Sequence, residues 1–196
     1  MAKFLNHGYL NHMATIYTIG HSTRSQDELI GLLREQAVDV LIDVRAVPRS
    51  RPNPQFNQDS LAAALSDATI AYRNPKVLGG MRAELQGVDS PNQFWKPGGF
   101  RNFADYAMTP LFRVALTKLE ELAADRSPAI LCAEAHWTNC HRRIITDYLL
   151  ADGFTVVHIV APGRTEPAEI TPAAVRTEAG ALLYPGDPAR PRIPGL

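Results

Sequence analysis

Ala129-Ile-Leu-Cys-Ala-Glu134 is an apolar run that leads into a polar turn, and Cys140-His-Arg142 then opens a segment with one apolar face. The run has the length and composition of a buried strand, and the segment after it has the periodicity of an amphipathic helix. Both cysteines of the chain therefore lie in one strand–turn–helix connection. This connection determines the fold class and contains the most reactive side chains.

Strands and helices alternate along the rest of the chain. Short β-branched runs predict further strands over 16–20, 38–45, 69–72 and 155–160. Between them, helices are predicted after a capping box at Ser25, after Asn57 as N-cap, over 102–108 and from Pro110. The alternation predicts an α/β fold, a single three-layer domain with a mainly parallel, Rossmann-like sheet of about five strands.

The two ends of the chain differ in composition from the middle. Residues 1–15 are predicted to be an N-terminal extension, with Met13 as an alternative start, and 16–160 are predicted to form the α/β domain. Proline recurs throughout 161–196, so we expect an extended, proline-rich C-terminal tail on the surface.

Composition restricts the class of protein. The 196 residues include 20 basic and 20 acidic side chains, so bulk charge indicates no partner and any nucleic-acid contact needs a local basic patch. Two cysteines do not make a disulfide scaffold, and no signal peptide or bilayer-spanning run is present, which favours a cytoplasmic protein without a membrane partner. Phosphate-loop and dinucleotide fingerprints are absent, which argues against ATP hydrolysis and nicotinamide chemistry.

Polar side chains follow several of the predicted strands at their carboxyl ends. In open α/β sheets ligands bind outside these ends, so the segments are expected to form one site. The segments are 21–24, 43–51, 132–136 and 139–142.

The cysteines allow several interpretations. If Asn139 is the N-cap, free amides and the helix dipole at 140–142 would bind an anion and lower the pKa of Cys140. Cys132 and Cys140 could form a redox pair, provide a nucleophile, or remain inert thiols. A metal site could recruit them with His136 and His141, but the spacing departs from that of structural zinc sites, and no metal ligand is predicted.

Charged side chains near these cysteines supply the other candidate roles. Proton transfer or nucleophilic chemistry is assigned to Cys140, Cys132, His21, Glu134, His141 and Asp43. Anion binding is assigned to Arg24, Arg45, Arg49, Arg51 and Arg142. These residues also have structural alternatives. Asp43 and Arg45 could form an ion pair, the basic loop over 46–54 could simply be solvated, and His158 could be a buried residue whose ring nitrogens are hydrogen-bonded.

The combined motifs resemble the family named domain of unknown function 488. The matching pieces are Thr18-Ile-Gly-His-Ser-Thr-Arg24, Leu41-Ile-Asp-Val-Arg45, Pro48-Arg-Ser-Arg51, Pro54-Gln-Phe56, Leu78-Gly-Gly80, Leu131-Cys-Ala-Glu134 and Cys140-His-Arg142. The resemblance covers about 16–160 and implies a single α/β domain without a settled activity. It marks as motif positions His21, Arg24, Asp43, Arg45, Arg49, Arg51, Cys132, Glu134, Cys140, His141 and Arg142.

The sequence thus favours an enzyme that acts on an anionic, phosphate-bearing substrate, either a small nucleotide or nucleic acid, at a Cys/His/Arg site. One alternative is a non-catalytic module that binds nucleic acid through the basic loop. Another is a thiol redox or metal sensor that uses Cys132 and Cys140. The sequence names no cofactor and no oligomeric state.

Overall fold

Eight strands are present in the computed structural model, which describes residues 14–84 and 89–186. In chain order they are β1 (Thr15–Gly20), β2 (Val40–Asp43), β3 (Ala71–Arg73), β4 (Pro128–Cys132), β5 (Thr155–Ala161), β6 (Arg164–Pro167), β7 (Val175–Arg176) and β8 (Leu182–Leu183). The first six form one sheet in the order β3-β2-β4-β1-β5-β6, and the last two pair separately. All pairs in the large sheet are parallel except β5 with β6.

Five α-helices connect the parallel strands. They are α1 (Gln26–Glu35), α2 (Gln58–Asp67), α3 (Gly99–Ala107), α4 (Pro110–Ala123) and α5 (Arg142–Ala151). Ser25 accepts a hydrogen bond from the amide of Glu28, as its predicted capping role requires, and Thr109 accepts one from that of Phe112 ahead of α4. Short 3-10 turns form at Pro54–Phe56, Lys76–Leu78 and Trp137–Asn139.

Two apolar clusters cover the two faces of the sheet. Alternate residues of β4 divide between them: Ile130 and Cys132 belong to one cluster, Ala129 and Leu131 to the other. Side chains of α3, α4 and α5 complete the first cluster, and those of α1 and α2 complete the second. The predicted three-layer α/β fold with a mainly parallel sheet is confirmed.

The segment after residue 160 differs from the prediction of an extended surface tail. β6 extends the sheet as its antiparallel edge, and Tyr184 is completely buried. The Asp147 carboxylate of α5 accepts hydrogen bonds from the Thr171 amide, at 2.8 Å, and from the Tyr184 hydroxyl, at 2.9 Å. A buried carboxylate needs hydrogen-bond donors, and because these come from Thr171 and Tyr184, Asp147 fixes the proline-rich segment to the core. The predicted extension up to residue 13 and the end of the tail from 187 lie outside the described residues.

Truncation of Tyr184 tests this packing. Tyr184→Ala removes a fully buried ring and leaves Asp147 with one hydrogen-bond donor fewer. We expect a loss of about 3–5 kcal/mol in the free energy of unfolding, measured by urea titration. Val175→Ala, an exposed change in the same segment, should stay within about 0.5 kcal/mol of wild type. Equal unfolding midpoints for the two variants would contradict this account.

Candidate active site

Arg142 shapes the connection between the two cysteines. Its side chain is 2% exposed, and it donates hydrogen bonds to the carbonyls of Glu134, at 2.7 Å, and Ala135, at 3.0 Å. The turn lies directly on the end of β1, where a Cβ at Gly20 would overlap the Glu134 carbonyl. These contacts place Cys132, at the end of β4, beside Cys140, just before α5.

The predicted N-cap at Asn139 is wrong. Asn139 ends a 3-10 turn, and the N-cap position of α5 is held by His141. The Cys140 amide donates to the Trp137 carbonyl, at 3.1 Å, and the Arg142 amide to Cys140 Sγ, at 3.5 Å. Because two of the three amides have partners inside the turn, the predicted anion cradle at 140–142 does not form.

Cys132, Cys140 and His141 form a thiol–imidazole cluster. His141 Nδ1 lies 3.8 Å from Cys132 Sγ and 3.7 Å from Cys140 Sγ. His141 Nε2 lies 3.2 Å from the Leu78 carbonyl, which only accepts hydrogen bonds. Nε2 therefore carries a proton, and Nδ1 is the atom presented to both sulfurs. A Cβ at Gly80 would overlap the His141 ring, so glycine is required where this loop passes the cluster.

The two thiols have different surroundings. A hydrogen bond from Cys140 lowers the pKa of Cys132, burial opposes this effect, and His141 and Arg142 lower that pKa further. Burial, followed by the proximity of Cys132, raises the pKa of Cys140. The sequence placed the lowered pKa on Cys140, and this assignment is wrong. Of the two thiols, Cys132 is therefore the one that ionises more readily.

His21 and Arg45 line the same cavity as Cys132. The Arg45 guanidinium makes a doubly hydrogen-bonded ion pair with Asp43, with Nη2 2.5 Å from Oδ2. Arg45 Nη1 also donates to His21 Nε2, at 3.2 Å, and His21 Nδ1 donates to the Ser22 carbonyl, at 2.9 Å. These partners require neutral His21 with the proton on Nδ1. Burial, and then Arg45, lower the pKa of His21 in agreement with this tautomer.

Asp43 is not placed to transfer protons. Its side chain is completely buried, and its carboxylate accepts hydrogen bonds from the Arg45 guanidinium and amide and, at 2.7 Å, from the Tyr72 hydroxyl. Its predicted catalytic role is therefore not supported. The structural ion pair with Arg45, the alternative considered for these residues, is present.

A cavity of about 450 Å³ opens at the carboxyl ends of the strands. Seven predicted site residues line it: His21, Arg45, Arg49, Cys132, Glu134, Cys140 and His141. Met81 and Phe100, which sequence reasoning missed, add an apolar wall. Met81 falls in the irregular connection over 75–99, whose unusual length is typical of a binding loop, whereas Phe100 at the start of α3 had no such signal.

The other predicted anion-binding arginines are placed elsewhere. Arg24 donates to the carbonyls of Gly20 and Val160 and pairs with Glu28, so its donors hold strand ends together. Arg142 is likewise occupied by carbonyls. Arg51 is exposed in an adjoining groove. Anion binding by Arg24 and Arg142 in the cavity is therefore not supported.

The cluster has the donor atoms of a metal site. The two sulfurs and His141 Nδ1 all lie within 4.8 Å of one another. His136, which the sequence considered as a fourth ligand, is exposed and does not join this group.

The fold and the cavity define an α/β protein with a thiol–imidazole site at the carboxyl edge of its sheet. The family model described as domain of unknown function DUF488 matches residues 25–149, so the chain belongs to this family. The match includes both cysteines and the basic loop and begins just after the predicted motif over 18–24. Neither a curated protein nor a solved structure matches the chain. Among the helices of the described residues, none is both long and apolar enough to cross a membrane.

His158, in β5, packs against the turn between the two cysteines. Its Nδ1 lies 2.7 Å from Thr18 Oγ1, and its ring stacks on Trp137 with 4.6 Å between centroids. Burial, and then the charge of Arg142, lower the pKa of His158 from 6.5 to about 4. The buried residue predicted at this position is present, although its Nε2 has no hydrogen-bond partner among the described residues.

The lowered pKa predicts acid sensitivity. Between pH 6.5 and 4 the unfolded chain binds a proton at His158 that the folded chain does not, so stability falls as the pH falls. At about 1.4 kcal/mol per pKa unit, wild type should lose roughly 2–3 kcal/mol more than His158→Gln between pH 7 and 4.5. Urea unfolding at both pH values measures this difference. Parallel losses in the two proteins would show that His158 is not responsible.

Proposed function

We propose that the chain is a cytosolic enzyme that uses Cys132 as a thiolate nucleophile on an anionic, phosphate-bearing substrate. The observation that carries this proposal is the position of Cys132 Sγ, 3.8 Å from His141 Nδ1, in the wall of an open cavity. A thiolate beside a protonated or hydrogen-bonding imidazole is the usual form of an activated cysteine.

The geometry supports a division of roles in the cluster. Cys132 attacks an electrophilic atom of the substrate, and the bond from that atom to its leaving group breaks. The leaving group takes a proton from His141 Nδ1, whose ring is held in place by the Leu78 carbonyl at Nε2. Cys140 donates a hydrogen bond to the thiolate and limits its basicity. Glu134, exposed at the cavity wall, is a further group for proton transfer.

Arg49 gives the cavity its preference for anions. Its side chain is exposed, and it makes no ion pair or side-chain hydrogen bond with the described residues. The charge of Arg45, by contrast, is balanced by Asp43. Arg49 is therefore the guanidinium available to a phosphate, while Phe100 and Met81 offer an apolar surface to the rest of the substrate.

Alkylation with two reagents of different charge tests the nucleophile and the anion preference together. We expect Cys132 to react with iodoacetamide at least about tenfold faster than Cys140 at pH 6, because its pKa is lowered. Its rate should change little between pH 6 and 8, whereas an ordinary thiol with a pKa near 9 speeds up about tenfold per pH unit. Mass spectrometry of peptides assigns each rate to its cysteine.

Iodoacetate is negatively charged, so its alkylation rate is compared with that of neutral iodoacetamide. The ratio of the two rates should show a several-fold gain at Cys132 over free cysteine. Arg49→Gln should remove this gain, while Arg34→Gln, an exposed arginine on α1, should keep it. Two equally slow thiols would contradict the proposed nucleophile. A gain that survives in Arg49→Gln would contradict the role of Arg49.

A metal centre is the second candidate, favoured by the three donor atoms within 4.8 Å. Two thiolates and one imidazole suit Zn²⁺, and a fourth position facing the cavity would resemble catalytic rather than structural zinc sites. The Leu78 carbonyl at His141 Nε2 is the kind of partner that orients a histidine ligand.

Native mass spectrometry with thiol titration separates these two candidates. If Cys132 acts as a nucleophile, protein purified without chelator should carry no zinc and show two titratable thiols. A metal centre should instead give one bound zinc that protects both thiols and is lost in Cys140→Ser. Stoichiometric zinc would contradict the free nucleophile and support metal-dependent chemistry instead.

A further inference from the structure

A broad groove adjoins the cavity at the basic loop. It encloses about 1060 Å³ and is formed by the basic loop over 46–54, the start of α2 and Lys76. The cavity and the groove share four lining residues of the basic loop: Ala46, Val47, Arg49 and Ser50. The groove and the cavity that contains Cys132 are therefore adjacent.

Three cationic side chains line this groove. Arg49, Arg51 and Lys76 are exposed, and within the described residues none of the three forms a salt bridge. Because acidic and basic residues balance over the whole chain, this is a local excess of positive charge. The lining also contains one carboxylate, Asp59, whose oxygens can accept hydrogen bonds from amino or hydroxyl groups of a ligand.

The backbone that carries the two arginines is held in place. The Asn57 side chain, predicted to cap α2, instead accepts a hydrogen bond from the Ser50 amide at 2.9 Å. The Pro48 carbonyl accepts one from the Gln58 amide, also at 2.9 Å, and Asn74 donates to the Arg45 carbonyl. A loop fixed in this way presents its cations with little ordering cost on binding.

We propose that the groove binds the sugar–phosphate backbone of a single-stranded polynucleotide and that the cavity receives one of its nucleotides. The proposal rests on the proposed function only in taking the cavity as the reaction site. The groove, at about 1060 Å³, lies at the upper limit of typical small-molecule sites, and its three cations suit a ligand with several phosphates. Single-strand sites combine a cationic groove that follows the backbone with aromatic surfaces that stack bases, a role open to Phe100.

The concave shape and the planar donors distinguish this ligand from other anions. A membrane surface would engage a convex or flat patch, whereas the groove is recessed. Guanidinium groups bind phosphate oxygens through two parallel hydrogen bonds, and two of the three cations are arginines. An acidic peptide remains as the competing ligand in the experiment.

Fluorescence anisotropy with a labelled single-stranded oligonucleotide of about 12 nucleotides measures binding. The double variant Arg51→Gln with Lys76→Gln should weaken affinity about tenfold or more. It should also reduce the salt slope by about 1.4, the value for two lost phosphate contacts on a single strand. The matched control, Arg34→Gln with Lys118→Gln, changes two exposed cations on α1 and α4 and should stay within about twofold of wild type.

Protection of Cys132 tests whether the groove leads into the cavity. The oligonucleotide should slow alkylation of Cys132, and inorganic phosphate at the same phosphate concentration should not. The oligonucleotide should protect Cys132 in the control variant as in wild type, and less in the groove variant. Anisotropy measures binding independently of thiol reactivity. Binding with an unreactive Cys132 would therefore refute the nucleophile and leave the groove proposal standing.

Several results would overturn the groove proposal. They are the absence of oligonucleotide binding by wild type, an equal loss in the groove variant and its control, and preferential binding of an acidic peptide. Tight binding that leaves Cys132 fully reactive would refute the connection to the cavity.

Discussion

The buried guanidinium of Arg142 is the constraint on which the site depends. It holds two carbonyls of the turn after β4, and its Nε has no partner among the residues that the structure describes. No carboxylate in that part of the chain lies within salt-bridge distance of it, so its charge is buried without an acidic partner. An uncompensated buried cation is costly, and a thiolate at Cys132 reduces that cost. The same residue thus shapes the turn and stabilises the reactive form of the sulfur.

Close backbone approaches make this arrangement possible. Gly20 lets the turn lie on the end of β1, and Gly80 lets the loop after Leu78 reach the His141 ring. The Leu78 carbonyl then fixes the imidazole so that Nδ1 faces both sulfurs. Three separate segments are therefore required to place one nitrogen beside both sulfurs.

The sequence could predict the fold but only part of the site. Alternating strands and helices, with the capping residues Ser25 and Thr109, define the α/β layers because these signals are local. The position of His141 could not be predicted, because the 3-10 turn at Trp137–Asn139 moves the start of α5 and depends on carbonyls held by Arg142. The buried tail was missed for a related reason: its anchor, Asp147, lies on α5 and looks like an ordinary helical acid in the sequence.

The arginines show why residue type alone did not assign function. The five candidates follow strands, lie in the basic loop or open a helix, all at the predicted carboxyl edge of the sheet, so the sequence treats them alike. In the structure, carbonyls occupy Arg24 and Arg142, a carboxylate occupies Arg45, and Arg49 and Arg51 have no ionic partner among the described residues. An arginine whose donors are already satisfied supports the fold, whereas one that is exposed on a fixed loop can bind an incoming anion. Of the five candidates, the two without an ionic partner both line the groove, and Arg49 also lines the cavity that contains Cys132.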